Sequence, residues 1–264
     1  MPSSLPRRLL VQFALMGVAL AFLLWRAWPD GQLHMWFPAL RGDAALVQLP
    51  SGGYLLIDGG ADPAALTAFI GRRLPFWQHQ LEAVVLTANH SAALPGQVAV
   101  LERYHARQAW LPARGKGTLF AEWSHLLKTS QTPIRLLRPD QPLRLDGVTL
   151  RTLALDQQGN AVLRLDYGST SVVWLNTMPN DLPKQALRPA SLVVFPWEYD
   201  PRLPTIEALR PRAMLFSDGL QADRPVELTF SERAIANAAL YHEQINGTVE
   251  WISNGRTAQI IAER

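Results

Sequence analysis

Arg41-Gly42-Asp43-Ala44-Ala45-Leu46-Val47-Gln48-Leu49-Pro50-Ser51-Gly52-Gly53-Tyr54-Leu55-Leu56-Ile57-Asp58-Gly59-Gly60 is the stretch on which the fold turns. Two apolar runs, residues 44–49 and 54–58, flank a Pro-Ser-Gly-Gly cluster, and that pattern reads as a β-hairpin. Asp58-Gly59-Gly60 closes the second strand. A carboxylate in such a turn accepts backbone N–H groups, and the glycines permit positive φ or a close backbone approach. Residues 63–74 then repeat apolar side chains at helical spacing, with Pro63 in the first turn. Residues 81–87 read as a buried strand, followed by a loop of small residues and a helix over 95–106.

The rest of the chain continues as mixed α and β. Strands are predicted at 109–111, 134–137, 143–145, 148–155, 161–167, 171–176, 191–195 and 213–217, with a closing hairpin at 248–253 and 257–262. Helices are predicted at 119–128, 183–187 and 204–209, with a long one at 231–244, and residues 31–33 read as a short turn. With 264 residues, 48% hydrophobic and 18% charged, the composition suits one globular domain plus an apolar segment and excludes a disordered chain. A net charge of +3 is too small an excess to require a nucleic-acid partner. The absence of cysteine excludes disulfides, thiolate zinc sites and thiol nucleophiles.

Residues 9–25 read LLVQFALMGVALAFLLW, with Gln12 the sole polar side chain. At 1.5 Å per residue that run makes about 26 Å of helix, the short end of a membrane span. Arg7 and Arg8 precede it, and Trp25 and Trp28 suit the far interface. A cleaved signal peptide shares the basic start and apolar middle. The run exceeds a usual signal core, however, and Arg26-Ala27-Trp28-Pro29 offers no small-x-small cleavage site. The chain is therefore divided into a short basic N-terminus (1–8), a transmembrane anchor (9–28) and a globular domain (31–264). The positive-inside bias places the N-terminus in the cytoplasm and the domain outside it.

The 41–60 stretch resembles the opening of a ComEC-type metallo-β-lactamase domain, the globular part of bacterial DNA-uptake channel proteins. The shared pattern is Gly-Asp, an apolar strand, a Pro-x-Gly turn, and an apolar strand ending in Asp-Gly-Gly. The order of later blocks agrees over residues 33–264. The resemblance implies an α/β metallo-β-lactamase-like αββα four-layer sandwich, preceded here by one N-terminal transmembrane helix. It also implies a metal loop, H-x-H-x-D-H, whose side chains converge on zinc. In Val84-Val85-Leu86-Thr87-Ala88-Asn89-His90-Ser91-Ala92-Ala93 the four ligand positions are Ala88, His90, Ala92 and Ala93. Where the family has Thr-Gly-Asp, this chain has Asn176-Thr177-Met178; where it has His-His-Gly, Trp197 and Glu198 stand. The stretch from Leu220 to Pro225, where the family often has a His-Pro pair, contains no histidine.

Zinc needs three or four convergent N, S or O ligands. Asp58, His90 and Glu198 are the remnant positions from which a relocated site would be assembled. The expectation is accordingly no catalytic residue, no metal site beyond that remnant, no cofactor and no zinc. Asp43 and Asp58 read as turn residues, and Trp197 as a filler of the vacated pocket. The remaining histidines, His34, His79, His105, His125 and His242, form no cluster at ligand spacing, and no Walker loop, G-x-G-x-x-G or nucleophile elbow is present. Arg103, Arg107, Arg114 and Lys116, with Trp110, Phe120 and Trp123 nearby, offer a basic aromatic face for single-stranded nucleic acid. A solvated rim over core aromatics explains the same residues, and no nucleic-acid-binding residue is assigned. The function expected is a membrane-anchored, non-catalytic domain, an accessory or scaffold for another membrane protein or complex. The alternatives are a divergent metal-dependent hydrolase or nuclease, and a DNA-binding accessory of an uptake channel.

Overall fold

A computed structural model describes residues 9, 11–18, 28–88, 92–176, 182, 187–217 and 237–264, and the chain divides into two units, Met1–Asp30 and Gly31–Arg264. In the first unit residues 11–18 are helical and exposed. Most of the second half of the predicted span, residues 19–27, lies outside the described residues. Among the described residues no helix is long and apolar enough to cross a membrane.

Among its described residues, the second unit is built on two large sheets. The first has eight strands in the order β17 (Ala258–Ala262), β16 (Val249–Ser253), β1 (Leu33–Phe37), β2 (Ala44–Gln48), β3 (Tyr54–Asp58), β5 (Ala83–Val85), β7 (Ala109–Leu111) and β8 (Ile134–Leu136). The second has seven, in the order β15 (Ala239–His242), β14 (Ala213–Ser217), β13 (Leu192–Pro196), β12 (Thr170–Leu175), β11 (Ala161–Tyr167), β10 (Val148–Leu155) and β9 (Leu143–Leu145). A two-stranded ladder joins β4 (Gln80–Leu81) to β6 (His105–Ala106) in parallel. The predicted hairpin is β2–β3, antiparallel from Ala44↔Asp58 to Gln48↔Tyr54. β3, β5, β7 and β8 run parallel because helices α1 (Pro63–Arg73), α2 (Pro95–Leu101) and α3 (Thr118–Thr129) carry the chain back between them.

Strand alternation sorts side chains into layers. Ala45, Val47, Leu55, Ile57 and Val85 face the second sheet, where they meet Leu163, Leu165, Trp174 and Val194. Their neighbours Leu46, Leu56 and Val84 face Leu66, Ile70, Val98 and Trp123 of the helices. On the far side of the second sheet, Val173, Val193, Phe195 and Phe216 pack on Ile206 and Leu209 of α4 (Pro204–Leu209). Helices, sheet, sheet and helices make the four layers that the resemblance implies.

Three elements differ from the sequence expectation. The turn at 31–33 opens instead into β1, paired on one side with β2 and on the other with β16. One of those partners, β16, lies far along the chain, as in the His34–Glu250 contact at 2.7 Å, so local pattern gave no sign of it. The helix expected over 95–106 stops at Leu101, and the chain turns into β6. Within the long helix expected over 231–244, residues 239–242 form β15, an edge strand parallel to β14, and α5 (Glu243–Asn246) follows. The exposed–intermediate–buried run of Ala239-Leu240-Tyr241-His242 lacks strand alternation, and sheet pairing decides it. Most of the helix expected at 183–187 lies outside the described residues.

Candidate functional site

The ends of β3, β5 and β12 meet at one end of the paired sheets, and Asp58 is the centre of that meeting. It is fully buried at the end of β3, with φ of 52°. One carboxyl oxygen accepts the Thr87 backbone N–H at 2.7 Å, and the other pairs with the Thr87 hydroxyl at 2.5 Å. Asn176, following β12 on the opposite sheet, reaches the second oxygen with its Nδ2 at 3.3 Å and also donates to Thr87 Oγ1. Its own Oδ1 accepts the Trp174 indole N–H at 2.6 Å. A chain of polar contacts, Trp174 to Asn176 to Thr87 to Asp58, therefore crosses from one sheet to the other. Burial pushes the Asp58 carboxyl up to about 8, the Thr87 bonds pull against it, and the nearby Asp43 charge adds to the rise.

The glycines around Asp58 leave no space for side chains. A Cβ on Gly96 would lie 1.7 Å from the Gly59 carbonyl oxygen, and one on Gly59 would lie 2.2 Å from the Gln97 nitrogen. The turn is stitched by Gly60 N–H to Asp43 O, Ala61 N–H to Arg41 O and Asp43 N–H to Ala92 O. Gln97, fully buried, donates to the Val85 carbonyl and accepts from the Trp123 indole. The Gly-Asp…Asp-Gly-Gly pattern has a packing reason here: it lets hairpin, loop and helix backbones touch.

Of the expected ligand positions, Ala88, Ala92 and Ala93 are buried methyl groups, and His90 lies outside the described residues. Thr177 and Met178 also lie outside them, as does the stretch from Leu220 to Pro225. Trp197 is buried on the helix side of the second sheet, edge-on to Phe216 at 5.3 Å and to His242 at 4.8 Å. It fills that outer core. Glu198 is exposed beside Tyr199, whose hydroxyl burial and the Glu198 charge push upward. Among the described residues no group of three or more His, Asp or Glu converges as a metal site.

The basic aromatic face does not form. Trp110 and Trp123 are buried in the core, and Phe120 stacks on Trp123 at 5.6 Å. Sequence reading also missed two arrangements. Arg164, nearly buried, bonds Asp166, Ser171 and the Arg188 and Pro189 carbonyls, tying β11 to the segment before β13. His242 caps α5 by accepting the Gln244 N–H at 3.1 Å. Each is a single polar residue bordering apolar neighbours, a signal too common to single out.

No family model matches the chain, and no curated protein matches it in sequence. Solved structures match it in fold, and they define its class: this chain has the metallo-β-lactamase fold. The metallo-β-lactamase fold protein YhfI from Bacillus subtilis is 15% identical, with a TM-score of 0.61 over 85% of this chain and 100% of that one. A diphosphatase of the PhnP family is 15% identical, with a TM-score of 0.57 over 83% and 98%. A candidate metal-dependent hydrolase from Parabacteroides distasonis is 7% identical, with a TM-score of 0.53 over 80% and 92%.

These likenesses correct the expectation of no cofactor and no zinc. The fold is one whose solved members include a protein named for metal dependence, so missing ligands at known motifs do not make a metal-free protein. Counting motif positions overlooks donors that other segments bring together, and that is the physical reason the inference fails. The fit at the motif positions themselves is a narrower matter. The alanine side chains carry no donor atom, and the Asp58 oxygens are engaged by Thr87 and Asn176. The described residues at this end do not fit a metal.

Proposed function

We propose that this chain is a membrane-tethered metallo-β-lactamase-fold domain of ComEC-like type that acts through its surface, as an accessory or scaffold of a membrane complex. The observation that carries the reading is the packing of the described residues around Asp58, whose buried carboxyl bonds Thr87 and Asn176 and links the two sheets. The tether is the apolar run 9–25 after Arg7 and Arg8, with the N-terminus cytoplasmic and the domain outside. A metal held elsewhere on the chain would leave this reading intact, because it concerns the Asp58 end. The test is Asp58→Asn in the full chain, assayed for phosphodiester and diphosphate hydrolysis with zinc or manganese supplied. We expect Asp58→Asn to fold, to stay in the membrane fraction and to leave any hydrolysis unchanged. A hydrolytic activity that the folded variant loses would sink the reading.

The second reading is a divergent metal-dependent hydrolase, supported by the likeness to a PhnP-family diphosphatase. It would draw on Asp58, His90 and Glu198, with a metal activating water. Elemental analysis of the purified full chain separates the two. One or two equivalents of metal, lost on His90→Ala together with hydrolysis, would favour the hydrolase.

A further inference from the structure

At the other end of β3 and β5 lies an open cleft of about 520 Å³, within the size range of small-molecule sites. Its frame is backbone. Leu81 and Ala106 of the β4–β6 ladder are buried, so alternation turns Gln80 and His105 outward. His105 N–H bonds His79 O at 2.9 Å, Arg107 N–H bonds Leu81 O at 2.9 Å, and Glu82 N–H bonds Tyr54 O at 2.7 Å. Gly53 forms part of the wall, where a Cβ would lie 2.8 Å from the Glu82 side chain. The cleft shares no residue with the Asp58 network.

Its side chains are rich in donors. Arg107 is aimed by two contacts, Nε to Gln80 Oε1 at 3.0 Å and Nη1 to Glu82 Oε2 at 3.4 Å, yet its side chain stays 58% exposed. The one carboxylate lining the cleft is thus already engaged, and the one glutamine oxygen facing Arg107 is spent on it. The His79 and His105 imidazoles have no hydrogen-bond partner among the described residues, and each adds one ring N–H donor beside one acceptor nitrogen on the same side. Beside them Trp77 is 43% exposed and braced edge-on by Phe76 at 4.8 Å. A donor excess around an oriented guanidinium calls for an acceptor-rich anion, and an open indole face calls for a flat ring.

We propose that this cleft binds a phosphate-bearing ligand with a flat ring, of nucleotide size. The phosphate lies against Arg107, His79 and His105, and the ring lies on Trp77. A free nucleotide and one held in a single strand present the same chemistry.

The test is calorimetric titration of the full chain in detergent with adenosine 5′-monophosphate, inorganic phosphate and adenosine. We expect the nucleotide to bind at least about tenfold more tightly than phosphate or adenosine alone, since each carries half of the recognition. Arg107→Met should weaken nucleotide and phosphate by about tenfold, whereas Trp77→Ala should weaken the nucleotide and leave phosphate unchanged. A short oligothymidylate that displaces the nucleotide at lower nucleotide concentration assigns the site to a strand; failure to displace it assigns the site to the free nucleotide. Both side chains are solvent-exposed, so circular dichroism should report unaltered folds. No nucleotide binding at about 5 mM, or affinity that survives both substitutions, overturns the proposal.

Discussion

The two ends of β3 and β5 differ in what they do with polar groups. Among the described residues at the Asp58 end, Asp58 and Thr87 are buried, bonded to each other and to Asn176, and enclosed by alanines and touching glycine backbones. At the far end Trp77, His79, His105 and Arg107 stand in solvent around a cleft. Among the described residues the Asp58 end is packed like a core, and the open polar side chains lie at the opposite end. A fold thus carries over its backbone path more readily than its site.

The sharpest way to break the comparison is to force space into the closed end. Gly96→Ala puts a methyl group against the Gly59 carbonyl, and backbone on both sides cannot retreat. We expect a loss above about 3 kcal/mol or no folded protein, read by urea unfolding. Gly71→Ala, in α1 with nothing near its Cβ, is the control and should be neutral or stabilising by up to about 1 kcal/mol. Equal effects would mean that the closed end is not tightly packed.

A smaller effect is expected from the Asp58 charge. Its folded value of about 8 stands above the ordinary 3.8, so the folded state holds a proton that the unfolded chain releases. The associated stability is full below about pH 4 and declines as pH rises through about 8. Asp58→Asn imitates the neutral acid and removes this slope. Urea midpoints at pH 5 and pH 8 should therefore drift further apart in the wild type than in Asp58→Asn. Parallel drift in the two proteins would show that Asp58 is ionised in the fold.

The smallest effect is expected at the open end. Trp77→Ala and Arg107→Met remove exposed side chains and should change stability by no more than about 0.5 kcal/mol each. Thermal unfolding checks this. A loss of several kcal/mol would make the cleft residues structural and erase the contrast between the ends.

Much of the architecture was legible in order along the chain. The 44–49 and 54–58 runs, their Pro-Ser-Gly-Gly turn and the helix opening at Pro63 carry strong local signals, and all three form as read. The strand β1 and the edge strand β15 were not legible, because β1 is a central strand fixed on one side by β16, more than two hundred residues away, and β15 is fixed by β14, some tens of residues away. The candidate site was legible in part. That Ala88, Ala92 and Ala93 supply no ligands follows from residue type, but Asn176 as the bridge to Asp58 across 118 positions does not. The expectation of no cofactor went beyond what a ligand count supports.

The sequence by itself determined the covalent limits of this protein: no cysteine, one apolar run near the N-terminus, a Gly-Asp…Asp-Gly-Gly frame and alanines at positions 88, 92 and 93. Tertiary structure alone decided which groups meet. It buried Trp110 and Trp123, moved Trp197 to the outer core, and exposed Trp77 beside Arg107. Side-chain chemistry is fixed residue by residue, whereas burial and proximity depend on which strands pair, and pairing is settled by the summed packing of both sheets at once.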